Sequence, residues 1–106
     1  MYANNDIIKE ISSNIKNIVS DKGHVYLYGS RARGDAKKDS DWDFLVLLDK
    51  PKIENSDHDS VGYAITSLGW DYGESFIPIL YTKSEWDSFS FMPFYKNVER
   101  DKILIV

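Results

Sequence analysis

The spacing of apolar residues divides the chain into helices and strands. Between residues 5 and 21 these residues recur at intervals of one, three and four, which is typical of an amphipathic helix packed on a core. Lys22 and Gly23 predict the end of this helix, with Gly23 in the left-handed conformation that often closes helices. A strand is then expected from His24 to Tyr28. The residues of the helical stripe are Ile7, Ile8, Ile11, Ile15, Ile18 and Val19.

Later segments continue this alternation of helical and strand patterns. Pro78 implies that its strand lies at an edge of the sheet or carries an irregularity, because proline cannot donate to a ladder. Ser56 or Asp57 is expected to cap one helix, and Thr82 or Ser84 the next. The predicted elements are a helical turn at 31–38, an interior strand at 44–48, a helix around 61–68, a strand at 76–81, a helix beginning at 83, a helix at 93–101 and a strand at 103–106.

This order of elements predicts an α/β (α+β) fold, in which helices cover one side of a small mixed sheet. A chain of 106 residues is expected to form a single domain, residues 1–106. An aromatic-rich segment near the carboxyl end is expected to lie mainly in the core, with part of it, or the terminal Ile-Leu-Ile-Val, available as a subunit contact. The apolar residues of this segment are Phe89, Phe91, Met92, Phe94 and Tyr95.

Composition limits the chemistry of the protein. The sequence has no cysteine, so a metal would be held by oxygen ligands, which favours Mg²⁺ or Mn²⁺. A net charge of −4 argues against a nucleic-acid partner and favours a small substrate or a protein. No apolar run approaches the roughly 18 residues of a membrane span, and residues 1–6 lack the basic and apolar regions that are typical of a secretory signal. We therefore expect a cytoplasmic protein that does not enter membranes.

Two carboxylates stand out at the start of the interior strand. Asp41 and Asp43 alternate with apolar residues, so they lie on one face, about 6.6 Å apart along the chain, and can share a divalent cation. Upstream, Gly29 and Ser30 follow a strand and precede a polar segment. Backbone amides and a hydroxyl in that position can point at phosphate oxygens. One loop thus offers both phosphate donors and metal ligands.

Two familiar loops do not fit these residues. A phosphate-binding Walker A loop needs Gly-Lys followed by Ser or Thr, whereas Gly34 is followed by Asp35. An EF-hand loop starting at Asp39 would need Gly where Phe44 stands and Glu where Lys50 stands.

Four basic residues lie between the Gly-Ser turn and the carboxylate pair. They either face a triphosphate or belong to a solvated loop. They are Arg31, Arg33, Lys37 and Lys38.

Gly-Ser-x-Ala-Arg-Gly followed by Ser-Asp-x-Asp and an apolar strand resembles the minimal nucleotidyltransferases of the DNA polymerase beta-like superfamily. The resemblance is specific at residues 28–49 and looser at 70–98. It implies the fold of that superfamily, a nucleoside triphosphate substrate, and Mg²⁺ or Mn²⁺ held by Asp41 and Asp43 as catalytic ligands. It also implies a nucleotide site that includes Gly29, Ser30, Arg33 and Ser40.

Within this implied site, Gly29 and Ser30 contact the phosphates and Ser40 stabilises the turn into the strand. Two roles stay open for Arg33, which either contacts a phosphate or pairs with Asp35 or Asp39.

The resemblance implies transfer of a nucleoside monophosphate, AMP from ATP, to a hydroxyl group. Stand-alone members of the family pair with HEPN-domain toxins and modify a tyrosine of the toxin, so a protein hydroxyl is the expected acceptor. A HEPN-type partner or a homodimer is expected. The alternative is a weakened or inactive antitoxin-like module that binds nucleotide or partner without turnover. An antibiotic-modifying enzyme is less favoured, because those relatives carry an additional helical domain.

The main departure from the family pattern lies in the third strand. Active members usually carry a third carboxylate there, and the expected position is occupied by Ile77. The nearest acids are Asp71 and Glu74. Glu74 can replace the missing acid only if a bulge near Pro78 shifts the register of the strand.

Overall fold

The computed structural model describes residues 5–106, which fold around a four-stranded mixed sheet. The strand order is β3-β2-β1-β4, with β2 parallel to β3 and β1 antiparallel to both β2 and β4. The predicted mixed sheet is therefore confirmed, with the predicted interior strand inside it and the strand of Pro78 at an edge. The strands are β1 Gly23–Tyr28, β2 Trp42–Leu48, β3 Phe76–Thr82 and β4 Ile103–Leu104.

Six α-helices are described, and a π-helical stretch, His58–Tyr63, joins two of them. The last helix has the predicted bounds. The second helix is shorter than the predicted turn at 31–38, because Gly34 adopts a left-handed conformation, with φ 86°, and ends it. The helices are α1 Asn5–Val19, α2 Ser30–Arg33, α3 Asn55–Asp57, α4 Ala64–Asp71, α5 Lys83–Asp87 and α6 Pro93–Asp101. No helix within residues 5–106 is long and apolar enough to cross a membrane.

Two helix ends differ from the prediction. The left-handed residue after α1 is Ser20, with φ 57°, and Gly23 instead begins β1, where a Cβ would overlap the carbonyl oxygen of Leu47. The helix predicted to start near Ser56 or Asp57 already begins at residue 55. At α5 the cap is as expected, since the hydroxyl of Thr82 accepts a hydrogen bond from a helix amide at 3.1 Å.

One face of the sheet, the closed face, is covered by α1, α4 and the π-helical stretch. Alternate residues of the strands point to this side, and apolar side chains of the helices fill the space above them. The predicted stripe of α1 supplies Ile11, Ile15 and Val19, each at most 1% exposed. The strand residues of this core are Val25, Leu27, Trp42, Phe44, Val46, Leu48, Phe76 and Leu80.

The opposite face, the open face, carries a smaller core under α5 and α6. Its fully buried residues are Leu45, Trp86 and Val98. Helices thus cover part of this side too, in addition to the one side predicted. The aromatic-rich segment is only partly in this core: Phe91 is 75% exposed, and Met92 and Phe94 are exposed as well. The prediction that the segment is mainly core is therefore wrong for these three residues.

Candidate active site

The Gly-Ser turn lies directly over Asp43. Gly29 follows β1 with φ 76° and ψ −158°, and its carbonyl oxygen accepts hydrogen bonds from the amides of Ala32 and Arg33 at 3.1 and 3.0 Å. A Cβ on Gly29 would lie 2.6 Å from Oδ2 of Asp43. Glycine is needed here both for its positive φ and for this close approach. The predicted phosphate loop and the predicted metal ligand are thus neighbours in space.

Asp43 occupies the middle of three strands on the open face. It pairs with Tyr28 of β1 and lies beside Ile77 of β3. Its pKa is raised above the ordinary value, first by burial and then by the negative charge of Asp41, with Arg33 acting in the opposite direction. Asp41 precedes β2 and is exposed. The two carboxylates are therefore close enough to repel, which is the arrangement that a shared cation relieves.

The donor set suits one divalent cation. Asp41 and Asp43 offer carboxylate oxygens, and Mg²⁺ in nucleotide sites is commonly held by one or two carboxylates together with phosphate oxygens and water. Across residues 5–106 no group of three His, Cys, Asp or Glu side chains could hold a metal. The pair fits a single cation shared with a triphosphate, and it does not complete a site with three protein carboxylates.

Ser40 closes the turn that leads into β2. Its hydroxyl accepts a hydrogen bond from the amide of Lys37 at 2.8 Å, and its own amide donates to the carbonyl of Lys37 at 3.1 Å. This is the turn-stabilising position that the resemblance implies. Contact of Ser40 with a nucleotide stays a prediction.

Arg33 is held by two carboxylates. Its Nε donates to Asp35 at 3.1 Å and its Nη1 to Asp101 at 3.0 Å. Asp101 also accepts from Arg100, and these two guanidinium groups lower the pKa of Asp101 to about 2. Of the two roles left open for Arg33, the structure shows ion pairing, with Asp101 rather than Asp39 as the second partner. A phosphate contact by Arg33 stays a prediction.

The other basic residues of the loop divide into two groups. Lys37 and Lys38 are exposed, which agrees both with a triphosphate contact and with a solvated loop. The side chain of Arg31 is only 10% exposed and points inward to the turn before Asp41, so the alternative of a solvated loop is wrong for this residue. Its guanidinium group binds the carbonyls of that turn, and a contact with a triphosphate stays a prediction. Sequence reasoning missed this role, because no pattern in the chain separates an inward arginine from an outward one.

The third strand brings no acid to the site. The β2–β3 ladder runs without a break from Trp42 opposite Phe76 onward, which places Ile77 beside Asp43. Glu74 instead accepts a hydrogen bond from Nε1 of Trp42 at 3.0 Å. A shifted register that would let Glu74 replace the missing carboxylate is therefore excluded.

Tyr28 is a site neighbour that sequence reasoning overlooked. Burial, followed by the charge of Asp43, raises the pKa of Tyr28 to about 12, so it stays a neutral phenol at physiological pH. Its ring makes an edge contact with the exposed Phe94, at 5.9 Å between centroids. The sequence feature that could have pointed to Tyr28 is its position immediately before the Gly-Ser turn. Tyr28 connects the carboxylate pair to the aromatic surface of α6.

Residues 7–104 match the model of the family described as the nucleotidyltransferase domain. A protein of Methanocaldococcus jannaschii named "Putative protein adenylyltransferase" is 37% identical over 86 residues, which cover 79% of this chain and 85% of that protein.

Two solved structures share the fold. A chain of a toxin–antitoxin crystal structure with AMP-PNP superposes with a TM-score of 0.62 at 17% identity, covering 90% of this chain and 72% of that one. A structure described as a "putative nucleotidyltransferase" from Sulfolobus solfataricus gives a TM-score of 0.58 at 27% identity, covering 93% and 76%. This chain belongs to the nucleotidyltransferase domain family, and its mixed sheet with helices is the polymerase beta-like nucleotidyltransferase fold.

Proposed function

We propose that this nucleotidyltransferase domain transfers AMP from ATP to a hydroxyl group of a partner protein. The observation that carries the proposal is the close approach of the Gly-Ser turn to the carboxylate of Asp43. There is no room between them for a side chain on Gly29. A triphosphate held by that turn would lie against the carboxylate pair. The name of the Methanocaldococcus jannaschii relative, a protein adenylyltransferase, supports AMP as the transferred group and a protein as the acceptor.

Each residue of the site has a proposed task. The backbone and hydroxyl of Gly29 and Ser30 bind phosphate oxygens, and Asp41 and Asp43 hold Mg²⁺, or Mn²⁺ in its place. Bound at these carboxylates, the ion would neutralise charge on the phosphoryl oxygens and on the leaving pyrophosphate. Together these residues orient the α-phosphorus for in-line attack. The bond from the acceptor oxygen to phosphorus forms as the bond to pyrophosphate breaks, and the proton of the acceptor hydroxyl passes to solvent.

The surface beside the carboxylate pair suits a protein acceptor. Phe91, Met92 and Phe94 are 75%, 38% and 46% exposed, and Phe94 contacts Tyr28, the strand partner of Asp43. An apolar surface at the edge of an active site is suited to a docking protein. We assign it to a HEPN-type toxin that presents a tyrosine, consistent with the toxin–antitoxin structure that shares the fold. Homodimerisation through the same surface is the competing use.

One observation favours a second function, which is nucleotide or partner binding without turnover. Asp43 has Ile77 as its neighbour on β3, so the site offers two carboxylates where active relatives usually offer three. A site of this kind would keep one cation and the triphosphate while the attacking hydroxyl lacks a group that helps to deprotonate it. Nucleotide binding would then be retained although catalysis is weakened or lost.

The test is transfer of label from [α-³²P]ATP in the presence of Mg²⁺ to the protein encoded by the neighbouring gene. We expect label on a tyrosine of that protein, located by mass spectrometry. Asp43→Asn should abolish the labelling. The matched control is Asp87→Asn, which removes a carboxylate paired with Lys83 on α5. Magnesium-dependent ATP binding without labelling would support the binding module, whereas absence of both would contradict both functions.

A further inference from the structure

Arg31 makes an unusual set of contacts for a residue of a phosphate-binding loop. Its Nη2 lies 2.9 Å from the carbonyl oxygen of Ser40 and 3.1 Å from that of Lys38, and it donates to both. The same atom is 3.5 Å from Oε1 of Glu74, and the guanidinium carbon lies 4.7 Å from the ring centroid of Trp42. The side chain is nine-tenths buried, and its Nε has no hydrogen-bond partner among the described residues.

These contacts join two segments that lie seven to nine residues apart in the chain. Arg31 belongs to α2, directly after the Gly-Ser turn, whereas Lys38 and Ser40 belong to the turn that precedes Asp41. Asp43 is fixed by its ladder partners on both sides, but Asp41 lies before β2 begins and has no strand partner. The position of Asp41 therefore depends on the preceding turn as well as on the start of β2, and the guanidinium group of Arg31 ties that turn to the phosphate loop.

The charge of Arg31 is balanced inside the fold. Glu74 and the two carbonyl dipoles face it, and the ring of Trp42 covers it. The positive charge that lowers the pKa of Asp43 comes from Arg33. Burial of the cation carries a desolvation cost, and its Nε has no hydrogen-bond partner among the described residues. A side chain that only filled this space would carry neither cost. Packing alone therefore gives no reason for an arginine at this position.

We infer that Arg31 is a positioning residue, which sets Asp41 relative to Asp43 by anchoring the carbonyls of Lys38 and Ser40 to the phosphate loop. The inference rests on the proposed function, because it assigns Asp41 to the cation. Arg31 touches neither carboxylate in the structure. Supporting groups of this kind hold metal ligands in the geometry that binding requires.

The test uses ATP-binding calorimetry on the full chain, in EDTA and across a Mg²⁺ titration, with thermal melting as a check of folding. Arg31→Met removes the donors and keeps the volume. Arg31→Lys keeps a cation that can reach the carbonyls, so it should rescue part of the effect. Lys83→Met is the matched control, since that lysine is 80% exposed and lies on α5.

For Arg31→Met we expect the Mg²⁺ concentration at half-maximal gain in ATP affinity to rise by about tenfold or more, with ATP affinity in EDTA changed by less than about threefold. If Arg31→Met melts too low to measure, Arg31→Lys takes its place. The expected result is then a smaller rise in that Mg²⁺ concentration, still above the value for Lys83→Met, and no rise would overturn the assignment.

Two results would overturn the assignment. The first is a wild-type Mg²⁺ dependence in Arg31→Met, and the second is a loss of affinity in EDTA, which would indicate direct phosphate contact. If the wild type itself showed no Mg²⁺-dependent ATP binding, the proposed function would fail first, and the assignment with it.

Discussion

On β3, two adjacent residues point to opposite faces of the sheet and have opposite environments. Phe76 is 1% exposed and packs against Phe44 at 5.0 Å between ring centroids on the closed face. Ile77 is 41% exposed beside Asp43 on the open face. The closed face is packed for stability, while the open face leaves apolar side chains and a half-buried carboxylate accessible. The two faces should therefore respond to substitution in different ways.

The largest expected difference is in stability. Phe76→Ala should lower the free energy of unfolding by about 3–5 kcal/mol, because it leaves a cavity among fully buried side chains. Ile77→Ala should cost less than about 1 kcal/mol, since much of that side chain is already in water. Urea unfolding followed by circular dichroism measures both. Equal losses would show that the open face is packed as tightly as the closed one.

The next difference is catalytic. Ile77→Asp places a carboxylate beside Asp43, where active relatives usually carry one, and should raise the rate of pyrophosphate release by about tenfold or more. Ile77→Asn has nearly the same size and no charge, so it serves as the control. A coupled pyrophosphate assay with the partner protein measures both variants. The explanation through the third acid would be wrong if the wild type already turned over at about 1–10³ s⁻¹ and Ile77→Asp changed nothing.

The third difference is in pH dependence. Asp43 has a raised pKa, so its contribution to stability is present below the ordinary value of 3.8 and is lost as pH rises through the raised pKa. Asp101 has its pKa lowered to about 2, so its contribution is present above 3.8 and is lost as pH falls toward 2. At neutral pH, Asp43→Asn should be more stable than the wild type and Asp101→Asn less stable.

Urea unfolding of both variants across the acid range measures this difference. Each variant should converge on the wild type at low pH, below 3.8 for Asp43→Asn and only as the pH falls below about 2 for Asp101→Asn, where the wild-type carboxyl group becomes protonated as well. Parallel pH profiles for the two variants would contradict the opposite directions of the two pKa shifts.

The smallest expected effect on stability concerns the aromatic surface of the open face. Phe91 is 75% exposed, so Phe91→Ala should change the free energy of unfolding by less than about 0.5 kcal/mol. The same substitution should weaken co-purification with the partner protein from cells that express both genes. A loss of about 2 kcal/mol or more would instead place Phe91 in the core, as its sequence pattern suggested.

Much of the closed face was predictable from the sequence. The apolar stripe of α1 marks one buried side of the helix, and the run in β2 is apolar on both faces as in an interior strand, so Ile15 and Val46 were expected inside and are fully buried. The bounds of α6 were predictable as well, because proline favours the first turn of a helix. The Gly-Ser and Asp-x-Asp segments were recognisable because phosphate and metal binding require these residue types at this spacing.

The remainder depended on tertiary contacts that local patterns do not encode. The pair between Arg33 and Asp101 joins residues 68 positions apart. The inward turn of Arg31 depends on where the turn carbonyls and Glu74 lie once the sheet has formed. Hydrophobicity identifies Phe91 as apolar, but it does not show that the helices of the open face stop short of covering it.

The most direct test of a cation site shared by the Gly-Ser turn and the carboxylate pair is calorimetry of ATP binding with and without Mg²⁺. The wild type should gain affinity when Mg²⁺ is added. Asp41→Asn and Asp43→Asn should each lose that gain and keep the weak binding measured in EDTA, whereas Asp87→Asn should behave as the wild type. Equal Mg²⁺-dependent affinity in the wild type and both carboxylate variants would contradict the site.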